Sequence, residues 1–201
     1  METMRADRVV AVVRAANIPD PLALTEALVA GGVRCVEFTF TIPNVLHAIG
    51  AASKGNAIIG AGTVMTADQA AAAIQAGASF VVSPACRPEL VQVSDRKGAP
   101  VLLGAFTATE VAAAIDAGTS AVKLFPASVG GPGYVKELLG PYPEARFIPS
   151  GGVDESNARD FLAVGCPAVF AGSKLCPPDV VEQGNTEDIT ARARAFVRAL
   201  R

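Results

Sequence analysis

Two charged residues inside apolar runs carry the strongest chemical signal in this chain. Lys123 stands between Val122 and Leu124-Phe125, and Glu37 lies within Cys35-Val36-Glu37-Phe38-Thr39. Burying an ammonium disfavours its charged form and favours the neutral amine, a nucleophile toward a ketone carbon. Attack yields a carbinolamine and then an imine, an electron sink for cleavage of a nearby carbon–carbon bond. Those steps need several proton transfers, which a carboxylate such as Glu37 can serve through a water. Two unlike charges in one pocket also favour each other's ionised forms and so oppose desolvation. The plainer readings are a lysine whose head reaches water, and a buried ion pair that is structural.

Other polar residues sit where apolar runs end. Arg14 follows the first run and can grip a carboxylate or phosphate with two hydrogen bonds. Thr63 follows Gly60-Ala61-Gly62, and Ser83-Pro84 closes another run. The two glycines are expected to let backbone approach a ligand closely, with the Thr63 hydroxyl donating to a carboxylate. Ser150-Gly151-Gly152 and Gly172-Ser173 form two Gly-containing turns at consecutive run ends. Backbone N–H groups and helix N-termini bind phosphate at such turns, although simple tight turns have the same composition. His47 is the only histidine, which removes histidine-rich metal sites. It follows Pro43-Asn44 at an expected helix start and is expected at the surface.

One unit recurs along the chain and would position these residues. A short apolar run ends in a polar or glycine-containing turn, and an Ala-rich amphipathic stretch follows and closes on Gly. The runs are Val9–Val13, Cys35–Phe40, Ala57–Gly60, Phe80–Ser83, Val101–Gly104, Ala121–Phe125, Arg146–Pro149 and Ala168–Gly172. Their spacing, roughly 20–26 residues, suits one strand, one helix and two short loops. Helices are expected to open at Asp20-Pro21, at Thr66 with a capping-box residue at Gln69, at Thr107, and over Asp154–Asn157. Their stops are Gly31-Gly32, Gly77, Gly118 and Gly165.

Alternating strands and helices give a parallel sheet, and unbroken apolar runs mean strands covered on both faces. Eight such units close into a (β/α)₈ TIM barrel, of which about 200 residues is the lower limit. The expectation is α/β, one domain over residues 1–201. A doubly wound open sheet is the main rival, but Arg14-Ala15-Ala16-Asn17 stands where its G-x-G-x-x-G turn would be. In TIM barrels the site gathers at the C-terminal strand ends, where the residues above fall.

The bulk properties exclude several classes. The chain has 201 residues with 51% hydrophobic content, enough for one sizeable core rather than a disordered chain. A formal charge of −2 offers no basic excess for nucleic acid. The longest uncharged run, Gln69–Cys86, is too polar for a membrane span, and the charged start lacks a signal peptide's apolar stretch. A cytoplasmic location is expected. Cys35, Cys86, Cys166 and Cys176 are scattered and are expected as small buried apolar side chains. The Arg-rich C-terminal stretch is expected to be a docked helix with a solvated basic face.

The motifs together resemble the 2-keto-3-deoxy-6-phosphogluconate / 4-hydroxy-2-oxoglutarate aldolase family, including its 6-phosphogalactonate branch. They are residues 30–39 (AGGVRCVEFT), 59–64 (IGAGTV), 82–84 (VSP), 122–127 (VKLFPA), 146–153 (RFIPSGGV) and 171–173 (AGS). They run in order over nearly the whole chain. The resemblance implies a class I aldolase, a lyase of carbohydrate metabolism of the Entner–Doudoroff type, with no cofactor and no metal. It implies Lys123 as Schiff-base lysine and Glu37 as acid/base. The pyruvate end would be Arg14, Thr63, Pro84 and Phe125, and the phosphate end Ser150, Gly151, Gly152, Gly172 and Ser173. The partner is a small 2-keto acid, and a homotrimer is expected. Gluconate-type members carry arginine four residues after the glutamate, where this chain has Thr41, and an aromatic residue where it has Lys174.

Three other readings remain open at this point: a 4-hydroxy-2-oxoglutarate aldolase, a phosphate-binding barrel isomerase or synthase without a Schiff base, and a non-catalytic sugar-acid binding barrel. A metal-dependent aldolase is disfavoured by the single histidine.

Overall fold

Eight short strands alternate with helices, and each paired neighbour runs parallel. The computed structural model describes residues 1–201. The strands are β1 (Val9–Val13), β2 (Cys35–Thr39), β3 (Ile58–Gly62), β4 (Phe80–Val82), β5 (Val101–Ala105), β6 (Ala121–Leu124), β7 (Phe147–Pro149) and β8 (Val169–Ala171). Hydrogen-bonded neighbours follow the order β7-β6-β5-β4-β3-β2-β1-β8. β7 and β8 lie against each other and close the ring without a ladder between them. This is the expected single-domain (β/α)₈ barrel, not the open doubly wound sheet.

Strand parity separates two cores. Val10, Cys35, Phe80, Val82, Leu102, Ala121, Ile148 and Phe170 pack together inside the ring. Residues of the opposite parity, such as Ala11, Val36, Phe38, Leu103 and Val122, pack outward in a far larger core with the helices. Both faces are covered, so the strands read as unbroken apolar runs. The same parity turns Glu37 inward after Cys35, and Lys123 inward after Ala121.

The helices are α1 (Glu2–Asp7), α2 (Pro21–Ala30), α3 (Val45–Ala52), α4 (Ala67–Ala76), α5 (Pro88–Lys97), α6 (Ala108–Asp116), α7 (Ala127–Leu139), α8 (Ala158–Ala163), α9 (Pro178–Glu182) and α10 (Thr186–Ala199). Asp20, Thr66 and Thr107 cap α2, α4 and α6 as expected, each accepting a backbone N–H three residues on. The expected capping box at Thr66 is incomplete. The Gln69 side chain accepts instead from the Met65 N–H at 2.7 Å, one residue before the cap. The helix expected from 154–157 starts at Ala158, because those residues form a turn closed by Asp154 and Asn157 side chains.

α1 lies at the lower end of the ring and buries Met4 against the inner core. α10 docks on α2, and Gly31 meets Ala193 so closely that no side chain fits there. No helix is long and apolar enough to cross a membrane. Cys35, Cys166 and Cys176 are buried, with burial pushing each thiol up to about 12. Cys86 departs from expectation and is only half-buried, because it lies in the loop after β4.

Candidate active site

Lys123 and Glu37 meet inside the ring. The Lys123 Nζ lies 3.5 Å from Glu37 Oε1, and the Glu37 side chain is fully buried. The ammonium also stands 4.8 Å over the Phe170 ring, close enough for a cation–π attraction. Neither Glu37 oxygen has a hydrogen-bond partner, so both remain able to accept from a substrate hydroxyl or a water. Burial raises Glu37 above the ordinary carboxylate range, while Lys123 and then Arg14 pull it back down. A carboxyl group with these opposing influences is suited to take and return a proton.

Glycines create the space for this pair, in a manner different from the sequence expectation. A side chain at Gly62 would collide with the Glu37 carboxylate, and one at Gly60 with the Phe80 ring. Both glycines face inward on β3, so their missing side chains accommodate Glu37 and Phe80 rather than a ligand against the backbone. Thr63 follows with φ of 56°, one of three non-glycine residues in the left-handed region. Gly104 does for the Pro84 backbone what Gly62 does for Glu37.

Above the pair opens a cleft of about 320 Å³, the scale of a small-molecule site. It gathers Arg14, Phe125, Ser150, Gly151, Gly152, Gly172 and Ser173, all anticipated from sequence. Thr63 and Pro84 do not line it; they stand at the ends of β3 and β4. Phe170 is the link, lining the cleft while its ring meets Lys123. Sequence reasoning missed Phe170 because an aromatic in an apolar strand reads as core; its inward parity was the available signal. Asp154 was also missed. Lys174 joins Arg14 as a second cation in the cleft.

The upper loops are built to present N–H groups. Ala127 and Ser128 at the start of α7 donate to the carbonyls of Ser150 and Gly151 at 2.7 and 3.0 Å. Asn157 Nδ2 donates to the Gly152 carbonyl at 2.9 Å. Leu175 and Cys176 both donate to the Gly172 carbonyl. The carbonyls are thus held by protein, while the N–H groups of Gly151, Gly152, Gly172 and Ser173 donate to no protein acceptor. Gly151 and Gly152 both have positive φ, 88° and 74°. Free N–H groups beside two cations suit an anion such as phosphate.

No group of three or more His, Cys, Asp or Glu side chains that could hold a metal ion is present. His47 is exposed on α3, away from the residues above.

The family model for KDPG and KHG aldolase matches residues 1–192. A 2-dehydro-3-deoxy-phosphogluconate aldolase of Treponema pallidum is 36% identical, over 94% of this chain and 92% of that protein. A KHG/KDPG aldolase of Escherichia coli is also 36% identical, over 94% of this chain and 90% of that one. Among solved structures, the KDPG aldolase of Legionella pneumophila superposes with a TM-score of 0.89 at 30% identity, covering 96% of each chain. That crystal holds pyruvate captured at low pH as a covalent carbinolamine.

Proposed function

We propose that this chain, which belongs to the KDPG and KHG aldolase family, cleaves a 2-keto-3-deoxy-6-phospho sugar acid to pyruvate and glyceraldehyde 3-phosphate. The observation that carries the reading is the buried Lys123–Glu37 pair at 3.5 Å beneath a cationic cleft.

Lys123 Nζ attacks the C2 ketone to form a carbinolamine, which loses water to an iminium. Glu37 takes the C4 hydroxyl proton, directly or through a water, and the C3–C4 bond breaks. Its electrons pass to the iminium and leave an enamine, while C4 departs as the aldehyde. Protonation of C3 and hydrolysis then release pyruvate and restore the free amine. Arg14, assigned to the pyruvate end on sequence resemblance, shares the cleft with Lys174 and the two glycine turns; in this reading the two cations, with the N–H groups of Gly151, Gly152, Gly172 and Ser173, hold the distal phosphate instead. Thr63, Pro84 and Phe125 belong to the pyruvate end in this reading. The sugar acid is of gluconate or galactonate type, and kinetics on the two epimers side by side assigns it.

A second reading, cleavage of 4-hydroxy-2-oxoglutarate, draws on the same cations, which bind a carboxylate as readily as a phosphate. One domain over residues 1–201, a homotrimer, a cytoplasmic location and an Entner–Doudoroff-type role complete the proposal.

The test is borohydride reduction with labelled pyruvate. Label is expected on Lys123, and none on the Lys123→Ala variant. Label persisting in that variant overturns the assignment. Substrate turnover without trapping favours an isomerase or synthase, and ligand-induced stabilisation without turnover favours a binding protein.

A further inference from the structure

The lower end of the barrel, opposite the catalytic cleft, holds a second and larger cavity of about 860 Å³. Five arginines face it: Arg5, Arg8, Arg146, Arg159 and Arg201. Only Glu2 and Glu144 offer carboxylate side chains there. The arginines that find protein partners lie elsewhere: Arg34 on Asp7, Arg87 on Glu89 and Arg192 on Asp188. None of the five makes an ion pair with the protein, although the chain as a whole carries a formal charge of −2.

Gathering unpaired like charges raises self-repulsion and does nothing for stability. An anion relieves it. Guanidinium groups stay charged at any working pH, and their planar forks match phosphate oxygens two at a time. The cavity also has an apolar part, formed by Ile148, Leu162, Ala163 and Pro167. Its volume exceeds that of the catalytic cleft, so it has room for a ligand larger than a sugar acid.

We propose that this cavity binds an organic polyphosphate: linked phosphates for the arginine rim, carried on a flat or apolar group for the floor. A nucleoside triphosphate is the class that meets both demands. The arginines come from separate segments: Arg5 from α1, Arg8 just after it, Arg146 before β7, Arg159 from α8 and Arg201 beyond α10. Ile148 of β7 and Ala168, beside the start of β8, line the same cavity. These are the two strands that touch without a ladder. A ligand held there clasps that seam and stabilises the fold, without touching the reacting atoms.

The experiment is calorimetric titration of the full chain with ATP, at low and at physiological salt. Saturable binding of one ATP per chain is expected, weakening as salt rises. Arg146→Gln/Arg159→Gln is expected to lose at least tenfold in affinity with the aldolase kcat unchanged. Arg5→Gln, a milder change, is expected to lose severalfold. Arg14→Gln/Lys174→Gln, in the cleft, is expected to bind ATP as the parent does. Absence of binding at millimolar ATP overturns the proposal, as does undiminished binding by the Arg146/Arg159 variant. Loss of binding in the cleft variant alone assigns the nucleotide to the catalytic cleft and overturns it equally. Tripolyphosphate binding as tightly as ATP overturns the role of the apolar floor.

Discussion

Replacing Lys123 by Met keeps the length of the side chain and removes its charge, leaving Glu37 alone in the barrel. At 3.5 Å and an effective dielectric near 20, the pair attracts by about 5 kcal/mol. Removing one partner of a buried pair costs ~3–5 kcal/mol when the other stays charged. Glu37 escapes part of that cost by protonating, so the loss depends on pH. Burial already holds Glu37 above its ordinary value, with Lys123 the largest opposing influence. Without Lys123 it rises further. A carboxyl whose folded pKa exceeds its unfolded one binds more protons when folded. Stability therefore falls as pH climbs through the window between the two values, by up to ~1.4 kcal/mol per pH unit. In Lys123→Met that window extends to higher pH than in the parent.

The two proteins should differ little in acid and by ~3–5 kcal/mol above the variant's Glu37 pKa. Urea unfolding from pH 5 to 9 reads this directly. Circular dichroism is the probe, since the chain has no Trp. Lys123→Met/Glu37→Met should restore a shallow pH profile and match the parent or exceed it by ~1–4 kcal/mol. An equal loss from Lys123→Met at every pH would refute the electrostatic argument and leave only packing. A variant gaining stability as pH rises would refute its sign.

The remaining predictions concern the space around the pair and the upper loops. Gly62→Ala sets a methyl against the Glu37 carboxylate and should cost ~1–3 kcal/mol of stability. It should also lower kcat by roughly 100-fold through misplacement of the acid/base group, so wild-type initial rates would contradict the placement. Gly152→Ala meets Ser128 Cβ at 2.6 Å with φ of 74°. It should raise KM for the phosphorylated substrate while pyruvate trapping on Lys123 persists; loss of trapping would show that the loop does more than hold the distal anion. Cleavage should proceed at full rate in EDTA, and loss restored by a divalent cation would end the class I reading.

Much of this fold is legible because parallel strands buried on both faces announce themselves as apolar runs. All eight runs are strands: β1 matches its run end for end, β3 and β5 extend past theirs because Ala61, Gly62 and Ala105 pair with a neighbour, and the other five stop one residue short at one end or both. Lys123 and Glu37 were legible for the same reason: a charge inside such a run must point into the ring or away from it. Other features arise only from tertiary contact. The segment after β6, Val-Gly-Gly-Pro-Gly, has loop composition, yet it lies within α7, which kinks at Gly131. Gly60 and Gly62 read as ligand-facing glycines, but their meaning lies in Phe80 and Glu37 across the strands. The basal arginines are spread from Arg5 to Arg201 and come together only when the ring closes.

The catalytic pair and the inner glycines form one arrangement. A barrel of this size is filled by side chains, so an interior carboxylate needs room taken from a neighbour. Gly62 supplies that room, and its register partner Thr39 lies two residues beyond Glu37 on β2. Small residues on one strand thus set how deep the acid sits on the next. Depth in turn raises Glu37, and the lysine facing it from β6 limits the rise. An apolar pair in these positions would fold at least as well. The ring therefore holds a less favourable interior than it could, and its active site is the structural reason.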